Sequence, residues 1–199
     1  MIDGINRLRY LYCRALTWIY YRPQFGAIGS GTTLYPPMLL SHVRFIQIGK
    51  SVLIRSGVRL EVLKPVSEAK PQLSIGDYVN IEQDVHIVCR SRIDIGANVT
   101  LGARCVIDDM THPYEDIHDP TKIGHRLSSQ ETPVRIGAGT FIGIGAVILP
   151  GVTIGRHCMI GANSVVSRDV PDFSVAAGVP ARILKHYDPY QEKWVKTSL

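Results

Sequence analysis

Three of the seven histidines, His112, His118 and His125, fall in one polar stretch that also holds Asp108, Asp109 and Glu115. Imidazole titrates near neutrality, so such a stretch can move a proton, and a nearby carboxylate or backbone carbonyl can hold the ring in one tautomer. Thiol and metal chemistry are less favoured. The four cysteines, Cys13, Cys89, Cys105 and Cys158, form no CxxC pair and match neither zinc nor disulfide spacing. No metal site is therefore expected, and a reducing cytoplasm is the natural compartment. The chain carries 22 Lys and Arg against 17 Asp and Glu, a net charge of +5, which favours an acidic partner. Its cations are dispersed and no recognised nucleic-acid module is present, so nucleic acid is not the expected one.

The scaffold for these residues announces itself as a repeat. An aliphatic residue returns every six positions, most clearly at Ile136, Ile142, Ile148, Ile154, Ile160 and Val166. Earlier triplets are Ile95, Leu101 and Ile107, then Ile75, Ile81 and Ile87, then Ile48, Ile54 and Leu60, and more weakly Ile28, Leu34 and Leu40. A small or β-branched residue follows four positions later, as at Val52, Val79, Val99, Cys105, Thr140, Ala146 and Ser164. Six residues suit a short strand and a corner, and three such sides close a triangular coil. Stacked at the strand spacing, six coils give a parallel β-helix about 29 Å tall, with both sets of residues pointing inward. Glycine often follows the aliphatic residue, as at Gly49, Gly76, Gly96 and Gly137, and is expected to permit the turn.

The period spans 25–179 and stops in four places. Excursions are expected at 61–74 and at 108–135, and the second is the polar stretch with the three histidines. Residues 1–24 place Ile5, Leu8, Leu11, Tyr12, Ala15, Trp18 and Ile19 at helical spacing among arginines. Two readings fit this amphipathic helix: a cap on the open end of the solenoid, or a peripheral contact with anionic lipid. Residues 180–199 read as a short C-terminal helix and tail. No secretory signal and no membrane-spanning run is evident.

The run IGAGTFIGIGAVILPGVTIGRHCMIGANSVVSRDVPDFSVAAGVPARIL, within 134–184, resembles the hexapeptide-repeat acyltransferases. Within them it is similar to the branch of galactoside, maltose, colanic-acid and capsular polysaccharide O-acetyltransferases, and the likeness extends over about 75–185. The resemblance implies an all-β, left-handed parallel β-helix, acetyl-CoA as donor, a homotrimer with sites between subunits, and a part in polysaccharide biosynthesis. It also implies roles. His112, in DMTHPYED, stands where the family keeps its general base, with Asp108, Asp109 or Glu115 as support. Phe141, Gly143, Ala162, Ser167, Arg168, Arg182 and Lys185 fall where the family meets coenzyme A, and cations suit its phosphates. Asn80, Glu82 and Asp84 are candidates for the acceptor, a small or lipid-linked sugar.

The acceptor itself stays open. The asparagine and aspartate that bind acceptor in the galactoside enzymes are not clearly reproduced, and an amine acceptor on an amino-sugar nucleotide or antibiotic fits as well. A γ-type carbonic anhydrase would need three converging histidines, which the spacing of His86, His112 and His118 does not supply. A non-catalytic β-helix is opposed by the THP loop and the PARILK ending. The enzyme reading puts the protein in the cytoplasm, with the inner face of the membrane as the variant.

Overall fold

A six-residue period can satisfy its backbone only if each short strand pairs with the equivalent strand one coil away, because no strand has a partner within its own coil. A computed structural model, which describes residues 2–63 and 72–197, has this arrangement. Coil one is β1 (Ala27–Ile28), β2 (Thr33–Leu34) and β3 (Leu39–Ser41). Coil two is β4 (Ile46–Ile48), β5 (Leu53–Ile54) and β6 (Arg59–Val62). Coil three is β7 (Leu73–Ile75), β8 (Asn80–Ile81) and β9 (His86–Cys89), and coil four is β10 (Ile93–Ile95), β11 (Thr100–Leu101) and β12 (Val106–Asp108). Coil five is β13 (Val134–Ile136), β14 (Phe141–Ile142) and β15 (Val147–Ile148), and coil six is β16 (Thr153–Ile154), β17 (Met159–Ile160) and β18 (Val165–Val166). The first strands of the six coils form one parallel sheet, the third strands another, and the second strands a longer sheet of nine. Register is kept from coil to coil, Ile48 on Ile75, Ile75 on Ile95 and Ile95 on Ile136.

Every predicted inward aliphatic is buried except Leu40, which is half-buried. The smaller row at Val52, Val58, Val79, Val85, Val99, Cys105, Thr140, Ala146, Val152, Cys158 and Ser164 is buried as well. Its hydroxyls are satisfied between coils: Thr140 Oγ1 donates to the Gly155 carbonyl at 2.8 Å and accepts the Cys158 amide at 3.0 Å. All four cysteines are buried free thiols.

The repeated glycines do a different job from the one expected. The left-handed corner residue sits three positions after the aliphatic, at Ser51, Tyr78, Asn98 and His157, with Gly139 in the same place. The glycine directly after the aliphatic is there for clearance. A Cβ on Gly96 would lie 2.7 Å from the Ala138 nitrogen, and one on Gly76 2.7 Å from the Ala97 nitrogen. Coils stacked at strand spacing leave no room there for a side chain.

Three boundaries also differ. Glu61 and Val62 belong to β6, and Leu73 and Ser74 to β7, so the first excursion begins and ends inside 61–74; residues 64–71 lie outside the described residues. Asp108 closes β12, and Val134 and Arg135 open β13, so the second excursion is 109–133, with one short 3-10 turn at Ile123–His125. The C-terminal segment is not a helix. β19 (Ser174–Gly178) continues the second-strand sheet parallel to β17, then β20 (Ala181–Asp188) and β21 (Lys193–Lys196) return antiparallel. The last coil presents an unpaired strand edge, and pairing it satisfies more backbone than a short solvent-exposed helix could. The turn between β19 and β20 contains a cis Val179–Pro180 bond.

At the other end, α1 (Ile2–Leu16) runs into a π-helical turn at Thr17–Tyr21. Cys13 and Thr17 are buried against coil one, where Thr17 Oγ1 accepts the Leu34 amide at 2.8 Å and donates to the Cys13 carbonyl at 2.7 Å. The apolar residues that define the helix in the sequence point the other way.

Candidate active site

The 109–133 loop leaves the third-strand sheet after β12 and is tied down at both of its ends. Asp109, 1% exposed, accepts the backbone amides of Arg90, Ser91 and Arg92 and the Ser91 hydroxyl, the last at 2.8 Å. Its own carbonyl accepts Thr132 Oγ1 at 2.7 Å, which joins the two ends of the loop. The Asp109 carboxylate is thus consumed in fastening the loop to the β9–β10 turn, and orienting His112 falls to another group.

That group is a backbone carbonyl. His112 Nδ1 lies 2.9 Å from the Arg126 oxygen. A carbonyl only accepts, so Nδ1 carries a proton, and in the neutral tautomer the lone pair falls on Nε2 of this half-buried ring. The Arg126 side chain organises the same region. Its guanidinium donates to the carbonyls of Thr121 at 2.7 Å, Asp116 at 2.9 Å and Asp119 at 2.5 Å, and pairs with the Asp119 carboxylate at 3.2 Å. The two limbs of the loop meet again where the Ser128 amide donates to the Thr111 carbonyl.

Of the other acidic candidates, Asp108 accepts the Met110 amide at 2.8 Å. Burial pushes its carboxyl above the usual carboxylate range, against the lowering effect of that amide. Glu115 is exposed and accepts the Tyr114 amide. His118 and His125 are exposed, and His86 is half-buried on the outer side of β9. Asn80, Glu82 and Asp84 follow one another along coil three. Glu82 pairs with Arg55 at 3.8 Å, and Asp84 takes a left-handed corner. Among the described residues no hydrogen bond or ion pair joins these three to the 109–133 loop. No three His, Cys, Asp or Glu side chains among the described residues group as a metal site.

The donor candidates divide between two clefts. Phe141, Met159, Val175 and Lys185 are successive partners across β14, β17, β19 and β20. Three ladder steps put Phe141 about 14 Å from Lys185. With His157 and Trp194 they line a cleft of about 500 Å³. Arg168 and Arg182 line another, also about 500 Å³, with Asp169 and Val170. Ser167 and Ala162 are exposed nearby. The Gly143 amide is not free for a ligand, since it donates to the Ile160 carbonyl at 2.8 Å as part of the coil. Burial raises the thiols of Cys13, Cys89, Cys105 and Cys158, so none is a poised nucleophile.

Sequence reasoning missed Arg126, Thr132 and the aromatic column of His157, Phe173, Tyr187 and Trp194, in which the His157 and Phe173 rings stack at 5.5 Å. None of these follows the period, and each is joined by a contact from a distant stretch of chain.

Two family models match the chain: the bacterial transferase hexapeptide (six repeats) over residues 133–168, and the hexapeptide repeat of succinyl-transferase over 92–107. Over these two stretches the chain is similar to the hexapeptide-repeat transferases. It is 40% identical over 114 residues to the probable acetyltransferase Rv3034c of Mycobacterium tuberculosis, a match covering 57% of this chain and 37% of that protein. It is 29% identical over 164 residues to the galactoside O-acetyltransferase of Escherichia coli, covering 82% and 65%. The chain therefore spans under two thirds of the length of both. Among solved structures, the N-acyltransferase AntD of Bacillus cereus, in complex with dTDP and 3-hydroxybutyryl-CoA, superposes with a TM-score of 0.70 at 20% identity, covering 86% of this chain and 88% of that one. This last likeness is one of fold.

Proposed function

We propose that this chain is an acetyltransferase that moves an acetyl group from acetyl-CoA directly to a sugar hydroxyl, with His112 as general base. The single observation that carries this reading is the hydrogen bond from His112 Nδ1 to the Arg126 carbonyl, which in the neutral ring directs the lone pair to Nε2. Nε2 takes the hydroxyl proton as the oxygen attacks the thioester carbonyl carbon. The tetrahedral intermediate then expels the CoA thiolate, which receives the proton from the imidazolium, leaving an acetyl ester and free CoA. The donor lies along the apolar row from Phe141 to Lys185, with Arg168, Arg182 and Lys185 facing its phosphates and Ser167 and Ala162 at the rim. Asn80, Glu82 and Asp84 contact the acceptor from coil three. Because no hydrogen bond or ion pair among the described residues ties them to the loop of their own chain, we take the site to be completed by a neighbouring subunit of a homotrimer of left-handed coils. Relatives named as acetyltransferases, one acting on galactosides, support the donor and the acceptor class. Four buried free thiols support a reducing, cytoplasmic setting.

The test is thiol release from acetyl-CoA against a panel of sugars, nucleotide sugars and amino sugars, with the product identified as ester or amide. His112→Ala is expected to lower kcat by roughly 10²–10⁴-fold. Near-normal turnover of that variant with a verified acceptor overturns the assignment, and a product acetylated only on nitrogen replaces the hydroxyl acceptor with an amine.

A further inference from the structure

The apolar stripe of α1 has no partner in the fold. Ile5, Leu8, Tyr12, Ala15 and Ile19 recur at spacings of three and four and share one side of the helix. Ile5 is 61% exposed, Leu8 69% and Ile19 78%, with Leu11, Tyr12, Trp18 and Tyr20 exposed beside them. The helix is held to the prism by the opposite side, through the buried Cys13 and Thr17 and through Arg9, which donates to the Ser56 hydroxyl and lies over the Tyr35 ring. Tyr20 continues the apolar surface into a cleft shared with Met38 and Leu39, both exposed. A monomeric domain that needed this helix only as a cap would turn the stripe inward.

The charge around the stripe is one-sided. Residues 2–60 hold eight of the 22 Lys and Arg and one of the 17 Asp and Glu, Asp3; Lys50, Arg55 and Arg59 pair with Asp77, Glu82 and Glu61, which leaves Arg7, Arg9, Arg14, Arg22 and Arg44 outside any ion pair among the described residues. Arg7 and Arg14 share a row with the exposed Leu11 and Trp18 by helical spacing, beyond the edge of the stripe, and the Arg22 guanidinium stacks over the Trp18 ring at 4.0 Å. Trp and Tyr beside long cationic side chains suit the boundary between headgroups and acyl chains, where the rings sit at the interface and the cations reach the phosphates. A second copy of the same face is a poor occupant. Pairing two such helices would bring Arg7, Arg9, Arg14 and Arg22 of both copies near one another, against a single carboxylate per copy, Asp3. The described helix is also too short and too charged to cross a bilayer.

We infer that this face of α1 docks on an anionic lipid bilayer, with the helix lying in the plane of the interface. The inference is independent of acyl transfer, because its residues lie outside the proposed site. Its geometry brings the 4–60 end of the prism to the membrane and favours acceptors carried on a lipid over freely diffusing ones.

The test is co-sedimentation of the full chain with vesicles of phosphatidylcholine alone, or with about 30% phosphatidylglycerol. Binding is expected to be at least about 10-fold tighter to the anionic vesicles and to weaken as salt rises from about 0.1 M to 0.5 M. Leu8→Glu/Ile19→Glu and Arg7→Gln/Arg14→Gln are each expected to lower partitioning about 10-fold or more. The subunit mass by sedimentation velocity, the thermal midpoint and thiol release with a soluble acceptor should stay at wild-type levels. Failure of the wild type to pellet with anionic vesicles overturns the inference, as does unchanged binding by either variant. A change of oligomeric state in Leu8→Glu/Ile19→Glu would instead make the stripe a protein interface and equally overturn it.

Discussion

Removing the Arg126 side chain should damage catalysis without damaging the β-helix. The guanidinium makes hydrogen bonds to three carbonyls and one ion pair, all within 116–121, while the Arg126 backbone oxygen holds His112 Nδ1. None of those contacts reaches a coil, and the loop ends stay fastened by Asp109 and Thr132. The fold should therefore keep its midpoint in Arg126→Ala. The histidine loses only the orientation that the carbonyl supplies, one neutral hydrogen bond of about 0.5–1.5 kcal/mol. That corresponds to a fall in kcat of about 2- to 13-fold, well short of the loss expected when the base itself is removed. Arg126→Lys retains one charge-assisted donor and should recover part of the loss. The assay is steady-state thiol release, with kcat separated from the KM for acetyl-CoA, which should move little, beside a thermal melt. A loss as large as that of His112→Ala would mean that the guanidinium touches the reacting groups. No loss at all would mean that the carbonyl is held without it. Either result refutes the positioning role.

Asp109→Ala strands three partly buried amides of the β9–β10 turn and is expected to lower unfolding free energy by about 3 kcal/mol in urea titration. Gly96→Ala forces a Cβ against the backbone of the next coil and should cost about 1–3 kcal/mol, whereas Gly124→Ala, with no atom within 4 Å, should be neutral or slightly stabilising. Asp108 is held above its ordinary value of 3.8 chiefly by burial, so the folded chain keeps that proton longer than the unfolded chain. Its contribution then becomes unfavourable as pH rises through and above that value. Asp108→Asn, measured by urea titration across a pH series, should match the wild type at low pH and gain on it as pH rises.

The repeat is legible because it is an average over many equivalent environments. Ile75, Ile95 and Ile136 stack in register on one another, so each must satisfy the same inward space, and the pattern survives any single irregular position. The place of the proposed site was suggested for the complementary reason, since a polar stretch with His112 stands out where the period fails. Less could be read where a residue type serves two purposes. Glycine after the aliphatic looks like a turn residue, yet the corner's left-handed backbone is carried by Ser51, Tyr78 and Asn98, and the glycine is needed for coil-to-coil clearance. The apolar spacing of α1 revealed a helix but not its orientation, because Cys13, Thr17 and Arg9, which lie outside the stripe, make its contacts with the prism.

From the sequence alone follow the coil, its inward residues and the position of its interruption, all set by spacing along the chain. Only the tertiary structure decided which groups meet across the interruptions. Arg126 reaches His112 over 14 residues of loop. Lys185 joins the row of Phe141 because β19 and β20 pair on the open edge of the last coil, where the sequence had read as helix. A period is a local property, repeated at each step, and a chain can display it residue by residue. A hydrogen bond between distant segments or a strand added to an exposed edge exists only once the coils have stacked, and nothing in the spacing of either segment records it.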